Sequence, residues 1–74
     1  MPKLRILSGR QVRAILEANG FILERQRGSH MILKLELEEG SITVSVPDHR
    51  EIRTGTLGSI IAQSMLSRSL FETD

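Results

Sequence analysis

Between Ser29 and Glu38 every second residue is apolar, with Met31, Leu33, Leu35 and Leu37 on one parity and His30, Ile32, Lys34 and Glu36 on the other. A period of two predicts a half-buried strand whose leucine side faces a core. Ser41 to Val46 alternates in the same way, with Ile42, Val44 and Val46 inward, and Glu39-Gly40 reads as the hairpin turn between the two runs. Pro47, which has no N–H for a ladder, closes that strand. A shorter β-compatible run, Phe21 to Gln26, precedes them and stops at Arg27-Gly28. The flanks change period. Ser8 is a fitting helix N-cap, Val12, Ile15 and Leu16 follow at helical spacing, and Asn19-Gly20 is the stop, so a helix of about three turns is expected with Arg10 and Arg13 toward solvent. After a polar loop from Asp48 to Arg53, Thr54 is the expected cap of a second helix with Leu57, Ile60, Ile61 and Met65 on one face. Ser67 caps a last turn that should hold Leu70 and Phe71 on the core.

The order helix, three antiparallel strands, helix predicts an α+β fold of two layers, in which both helix stripes cover one sheet face and the other face stays open. With 74 residues the chain has room for one domain, 1–74, and one core. Phe21 and Phe71 are its only aromatic residues, so that core must be built from Leu, Ile, Val and Met. The absence of cysteine excludes a disulfide framework, a thiolate metal site and a cysteine nucleophile. It also favours a reducing compartment, and with no leader or membrane segment legible, a cytoplasmic location is expected. Net charge is only +1, but its distribution is uneven. Lys3, Arg5, Arg10 and Arg13 precede the first carboxylate, Glu17, whereas Glu36, Glu38 and Glu39 crowd the hairpin. Such separation permits local contact with a polyanion, and equally describes an ordinary solvated surface.

Candidate chemistry centres on His30, which follows Gly28-Ser29 and falls on the face opposite the leucines. A histidine there is either an exposed polar residue or a proton-transfer group, since imidazole is the side chain suited to exchange near neutral pH. Arg27 beside it and Lys34 on its face supply cations, and Gly28 permits close approach. That company suits metal-free RNA cleavage, which needs a base for the 2′-hydroxyl, an acid for the departing 5′-oxygen and cations for the growing phosphorane charge. One imidazole seldom fills both proton roles in a step. His49 in Pro47-Asp48-His49 is the other one, either a turn residue bonded to backbone or the second catalytic group. The two histidines have no accompanying ligand spacing, so no metal and no cofactor is expected. Thr54-Gly55-Thr56, with Arg50 and Arg53 close by, reads as a helix cap or as a phosphate contact. With no exposed aromatic platform, RNA would be held through phosphate and sugar rather than by stacked bases.

Taken in order, Gly28-Ser29-His30, Pro47-Asp48-His49, Gly55-Thr56-Leu57 and Ile60-Ile61-Ala62-Gln63 resemble the HicA, or YcfA-like, family, and the likeness runs from Ser8-Gly9 to Leu66-Ser67. The resemblance implies a fold like the double-stranded RNA-binding domain and the activity of an mRNA interferase, the toxin of a toxin–antitoxin pair. It implies that the histidine of the Gly-Ser-His motif, here His30, is catalytic, that mRNA is the substrate, and that a HicB antitoxin covers that histidine. Gly28, Ser29, Lys34, Arg50, Arg53, Thr54, Gly55 and Thr56 are the expected RNA contacts. The acidic hairpin departs from the more basic one of many relatives and argues against RNA along that edge. A non-catalytic double-stranded RNA-binding module of the same fold is the alternative, and a protein–protein adaptor a more distant one.

Overall fold

A computed structural model describes residues 2–73. The elements in chain order are β1 (Lys3–Leu4), α1 (Gly9–Ala18), β2 (Ile22–Arg27), β3 (His30–Leu37), β4 (Gly40–Pro47), α2 (Thr54–Ser64), a 3-10 turn (Arg68–Phe71) and β5 (Glu72–Thr73). The fold is α+β. Strands β2, β3 and β4 form an antiparallel sheet in that order, and both helices lie on one face of it. Met31, Leu33, Val44 and Val46 of the sheet meet Val12 and Leu16 of α1 and Leu57, Ile60 and Ile61 of α2 in one core, closed by Leu7, Phe21, Ile52 and Phe71.

Local chemistry explains the helix ends. The Ser8 hydroxyl accepts from the Gln11 N–H at 3.1 Å while the Ser8 N–H donates to Gln11 Oε1 at 2.8 Å, a complete capping box. At the far end the Asn19 side-chain amide donates to the Ile15 carbonyl at 2.8 Å, and Gly20 takes a φ of 97° to turn the chain into β2. The β2–β3 hairpin has a two-residue loop, Gly28-Ser29, with a positive φ of 57° at Gly28 only, the pattern of a type II′ turn. A left-handed first position is the conformational reason for that glycine.

Several expectations need correction. The β3–β4 turn is Glu38-Glu39, and Gly40 is already the first residue of β4, pairing with Leu37. Leu37 is half exposed and Leu35 only half-buried, the latter packed at the edge of the core beside Gly20. Thr54 does not cap α2. It is the first helical residue, the N-cap position is Arg53, and no side-chain cap bond forms. Met65 leaves the stripe: the buried Ser64 hydroxyl donates to the Ile61 carbonyl at 2.8 Å and accepts from the Leu66 N–H at 3.1 Å, ending the helix. Met65 then adopts a left-handed φ of 60° with its side chain in solvent. Ser67 caps the 3-10 turn as expected, but only Phe71 reaches the core, and Leu70 is exposed. The small β1–β5 pair, Lys3 opposite Thr73 and Leu4 opposite Glu72, had no signature in the apolar pattern.

Candidate active site

The face of the sheet turned away from the helices is open, and the pairing register decides what stands on it. Residues directly opposite in an antiparallel pair share a face. On β3 and β4 the open side carries His30, Ile32, Lys34 and Glu36 beside Ser45, Thr43 and Ser41. On β2 the register shifts between Leu23 and Arg25: Leu23 pairs with Leu33, yet Arg25 pairs with Ile32 and Arg27 with His30. Glu24 is thus the extra residue of a β-bulge, and every later β2 side chain changes sides. Without the bulge, in the register of Leu23 with Leu33, Arg25 would share the face of Leu23 and Arg27 would fall in the turn. With it, both stand on the open face, across from Ile32 and His30.

Two halves result. Arg27, His30, Ile32 and Ser45 line a shallow concavity at the turn end. At the other end lie Ile22, Glu24, Lys34 and Glu36. There Lys34 Nζ contacts Glu36 at 3.2 Å and Glu24 at 3.6 Å, and the hydrogen bond and charge of Glu36, seconded by Glu24, raise the lysine pKa above its ordinary value of 10.5. Lys34 therefore sits on the His30 face, as its parity requires, but within an acidic pair. Arg10, Arg13 and Arg68 are likewise engaged, by Asp48, Glu17 and Glu72. Among the described residues Arg25 and Arg27 have no ion-pair partner, nor do Arg50 and Arg53.

The two histidine motifs are brought together through the main chain. His30 pairs with Pro47, and the Asp48 N–H donates to the Ser29 carbonyl at 2.6 Å, so the Gly28-Ser29-His30 turn and the Pro47-Asp48-His49 loop are fastened side by side. The loop is fastened again from behind: the Gly9 N–H donates to the His49 carbonyl and the Ile52 N–H to the Leu7 carbonyl, both at 2.8 Å. Gly9 is required there, because a Cβ would overlap the Pro47 carbonyl oxygen. The two imidazoles nonetheless open onto different concavities, His49 with Ser8, Arg10, Asp48 and Arg50. Thr54, Gly55 and Thr56 are exposed at the start of α2, and a Cβ on Gly55 would meet nothing within 4 Å. No group of three or more metal-ligating side chains occurs among the described residues, and no helix is long and apolar enough to cross a membrane.

Sequence reasoning noticed Arg27 only as a neighbour of His30 and missed Arg25 and Ser45. Ser45 was findable, since it lies on the open parity of a strand read correctly. The arginines follow only by counting back from the Gly28-Ser29 turn; counting forward from Leu23 misplaces them, because no residue in Leu23-Glu24-Arg25 marks a bulge.

A family model described as "HicA toxin of bacterial toxin-antitoxin" matches residues 9–66. No curated protein and no solved structure gives a significant match. The matched span begins at the first residue of α1, includes the whole sheet and α2, and takes in both histidine motifs.

Proposed function

This chain belongs to the HicA toxin family, and from that membership and the open His30 face we propose that it is a toxin acting as a metal-independent endoribonuclease on mRNA. The observation carrying the reading is the position of His30: exposed, on a sheet face that no helix covers, with its turn fastened to the Pro47–His49 loop. A rigid backbone with a free imidazole is what proton transfer to a large, flexible substrate asks for.

In the proposed reaction the 2′-oxygen attacks the adjacent phosphorus and loses its proton to a base. The bond to the 5′-oxygen breaks as an acid protonates it, leaving a 2′,3′-cyclic phosphate and a 5′-hydroxyl. His30 fills one of these roles; His49, though on the fastened loop, opens onto a different concavity and is assigned neither. The RNA backbone is held by the Gly28-Ser29 turn, by Arg50 and Arg53 and by the Thr54-Gly55-Thr56 start of α2, where free N–H groups and the helix dipole favour phosphate. Lys34, already held by two carboxylates, is the least available of these contacts.

The family implies a cognate antitoxin. We take it to be HicB-like and to cover His30, with half-buried Ile32 and exposed Ile22 on the same face as its apolar footing. A complex that leaves both His30 and Ile32 exposed removes that assignment. The element order fits a fold like the double-stranded RNA-binding domain, and an activity on mRNA places the protein in the cytoplasm. The passive RNA-binding module is the second reading, favoured by the free arginines and open glycine at the α2 start.

His30→Ala decides between them. Cleavage of a long transcript, measured with EDTA present throughout, should fall by about 100- to 10,000-fold, the usual contribution of general acid–base catalysis. The exposed ring leaves no cavity, so thermal unfolding should not change. A folded variant cutting at the wild-type rate sinks the assignment, and a wild type that binds RNA without cutting it makes the passive module the answer.

A further inference from the structure

We infer that Arg27 is a catalytic residue of the His30 site, holding the non-bridging oxygens of the scissile phosphate, and that Arg25 seats the neighbouring phosphate. This rests on the endoribonuclease reading. Three observations carry it. First, Arg27 is the cross-strand partner of His30 and lines the same concavity, so its guanidinium and the imidazole flank one space. Second, neither Arg25 nor Arg27 has an ion-pair partner among the described residues, whereas Lys34, the other cation of this face, is neutralised by Glu24 and Glu36. Third, the two-residue Gly28-Ser29 turn sets Arg27 opposite His30, and the bulge at Glu24 lets Arg25 and Arg27 hold the open face while Leu23 keeps the core face, at the cost of a regular ladder on an edge strand. Bulges commonly re-aim a side chain next to an active site.

The chemistry fits the placement. A guanidinium is planar and always charged, and it grips two phosphate oxygens at once. Directly across from the imidazole, it meets the phosphorane as negative charge grows on those oxygens, which a more distant cation does not. Arg25 lies two residues along an extended strand, about 6.6 Å away, close to the separation of successive phosphates in an extended single strand. The substrate path therefore follows β2 from Arg27 to Arg25 as a single strand. Beyond Arg25, Glu24 and Glu36 turn the backbone away.

The test is single-turnover cleavage of one RNA by wild type, Arg27→Ala, Arg27→Lys, Arg25→Ala and His30→Ala, with affinity for a 2′-O-methyl analogue measured in parallel. Arg27→Ala should lose about 10²- to 10³-fold in rate at saturating RNA, with analogue affinity falling less than tenfold, and Arg27→Lys should recover part of that rate. Arg25→Ala should weaken binding while keeping the saturated rate within a few-fold of wild type. Arg13→Ala, on the far helix, controls for general loss of charge and should match wild type. If Arg27→Ala weakens only binding and cuts normally once saturated, the catalytic assignment is wrong although the His30 reading stands. If His30→Ala also cuts normally, or wild type does not cut, the underlying reading fails and this inference with it.

Discussion

Gly9 and Gly58 offer the same substitution with opposite expected outcomes. At Gly9 an added methyl overlaps the Pro47 carbonyl oxygen and comes within 3.0 Å of its carbon and 3.1 Å of the Asp48 Cα. All three are backbone atoms, so relief requires moving the loop and giving up the 2.8 Å bond from the Gly9 N–H to the His49 carbonyl. Overpacking of this kind costs about 1–3 kcal/mol and the hydrogen bond about 1 kcal/mol. Alanine's better helix propensity returns at most about 1 kcal/mol, so Gly9→Ala should destabilise by about 1–3 kcal/mol net. In a chain of this size that is a large part of a total of about 4–11 kcal/mol. At Gly58, inside α2, a methyl meets nothing within 4 Å, and the backbone is ordinary helix. Gly58→Ala should stabilise by up to about 1 kcal/mol. Thermal unfolding resolves the two easily, since each kcal/mol moves Tm by about 4–8 °C in a domain this small. Because the displaced loop carries the Asp48 bond to Ser29, Gly9→Ala should also slow RNA cleavage at temperatures where the variant is fully folded. A Gly9→Ala protein as stable as wild type would refute the close junction between α1 and the β4–α2 loop, and with it the claim that this junction positions the site.

Further outcomes follow from burial and charge. Leu33→Ala, at a fully buried site, should cost about 2–5 kcal/mol in denaturant unfolding, whereas the same change at half-exposed Leu37 should cost well under half as much; equal costs would mean the sheet end is covered. Lys34→Met should be slightly destabilising at neutral pH. A raised folded-state pKa contributes stability that is fully present below the ordinary lysine value of 10.5 and is lost as pH rises through the raised value, so the Tm gap between variant and wild type should close in strongly alkaline buffer. A gap that persists there would mean that the ion pairs with Glu24 and Glu36 do not carry Lys34's contribution. Gly55→Ala should leave stability equal or higher yet weaken RNA binding, because its methyl stands where a phosphate would approach the α2 start.

The fold was legible where one pattern was sufficient. Alternation in β3 and β4, helical spacing in both helices and the Ser8 and Asn19-Gly20 punctuation each name their element without help from elsewhere. What escaped depends on tertiary relations. Whether Leu37 is covered turns on how far the helices reach along the sheet, and the 3.6-residue stripe of α2 does not contain that length. Met65 has the right spacing to continue the stripe, but Ser64 takes the last carbonyl with its own hydroxyl, and a side-chain bond of that kind competes with the helix wherever geometry allows it. The β1–β5 pair joins the two ends of the described chain, and pairing at such sequence distance has no local signal.

The site divides along the same line, and the division explains why a histidine was found and its arginines were not. His30 lies in the middle strand, whose parity is regular from end to end, so its face follows from counting. Arg25 and Arg27 lie in β2, where counting from Leu23 gives the opposite answer to the register observed beyond Glu24. A strand of period two is exact only while no residue is inserted, and one extra residue reverses every side chain after it. An edge strand is where such an insertion is cheapest, since only one neighbour's hydrogen bonds are disturbed. The consequence is chemical as well as geometric. Had β2 continued regularly from Leu23 opposite Leu33, Gln26 would stand across from His30, Arg25 would lie beneath the sheet opposite Met31, and Arg27 would fall in the turn. The bulge exchanges a neutral amide for a guanidinium next to the imidazole, and so changes that end of the face from a polar surface into one able to receive a phosphate.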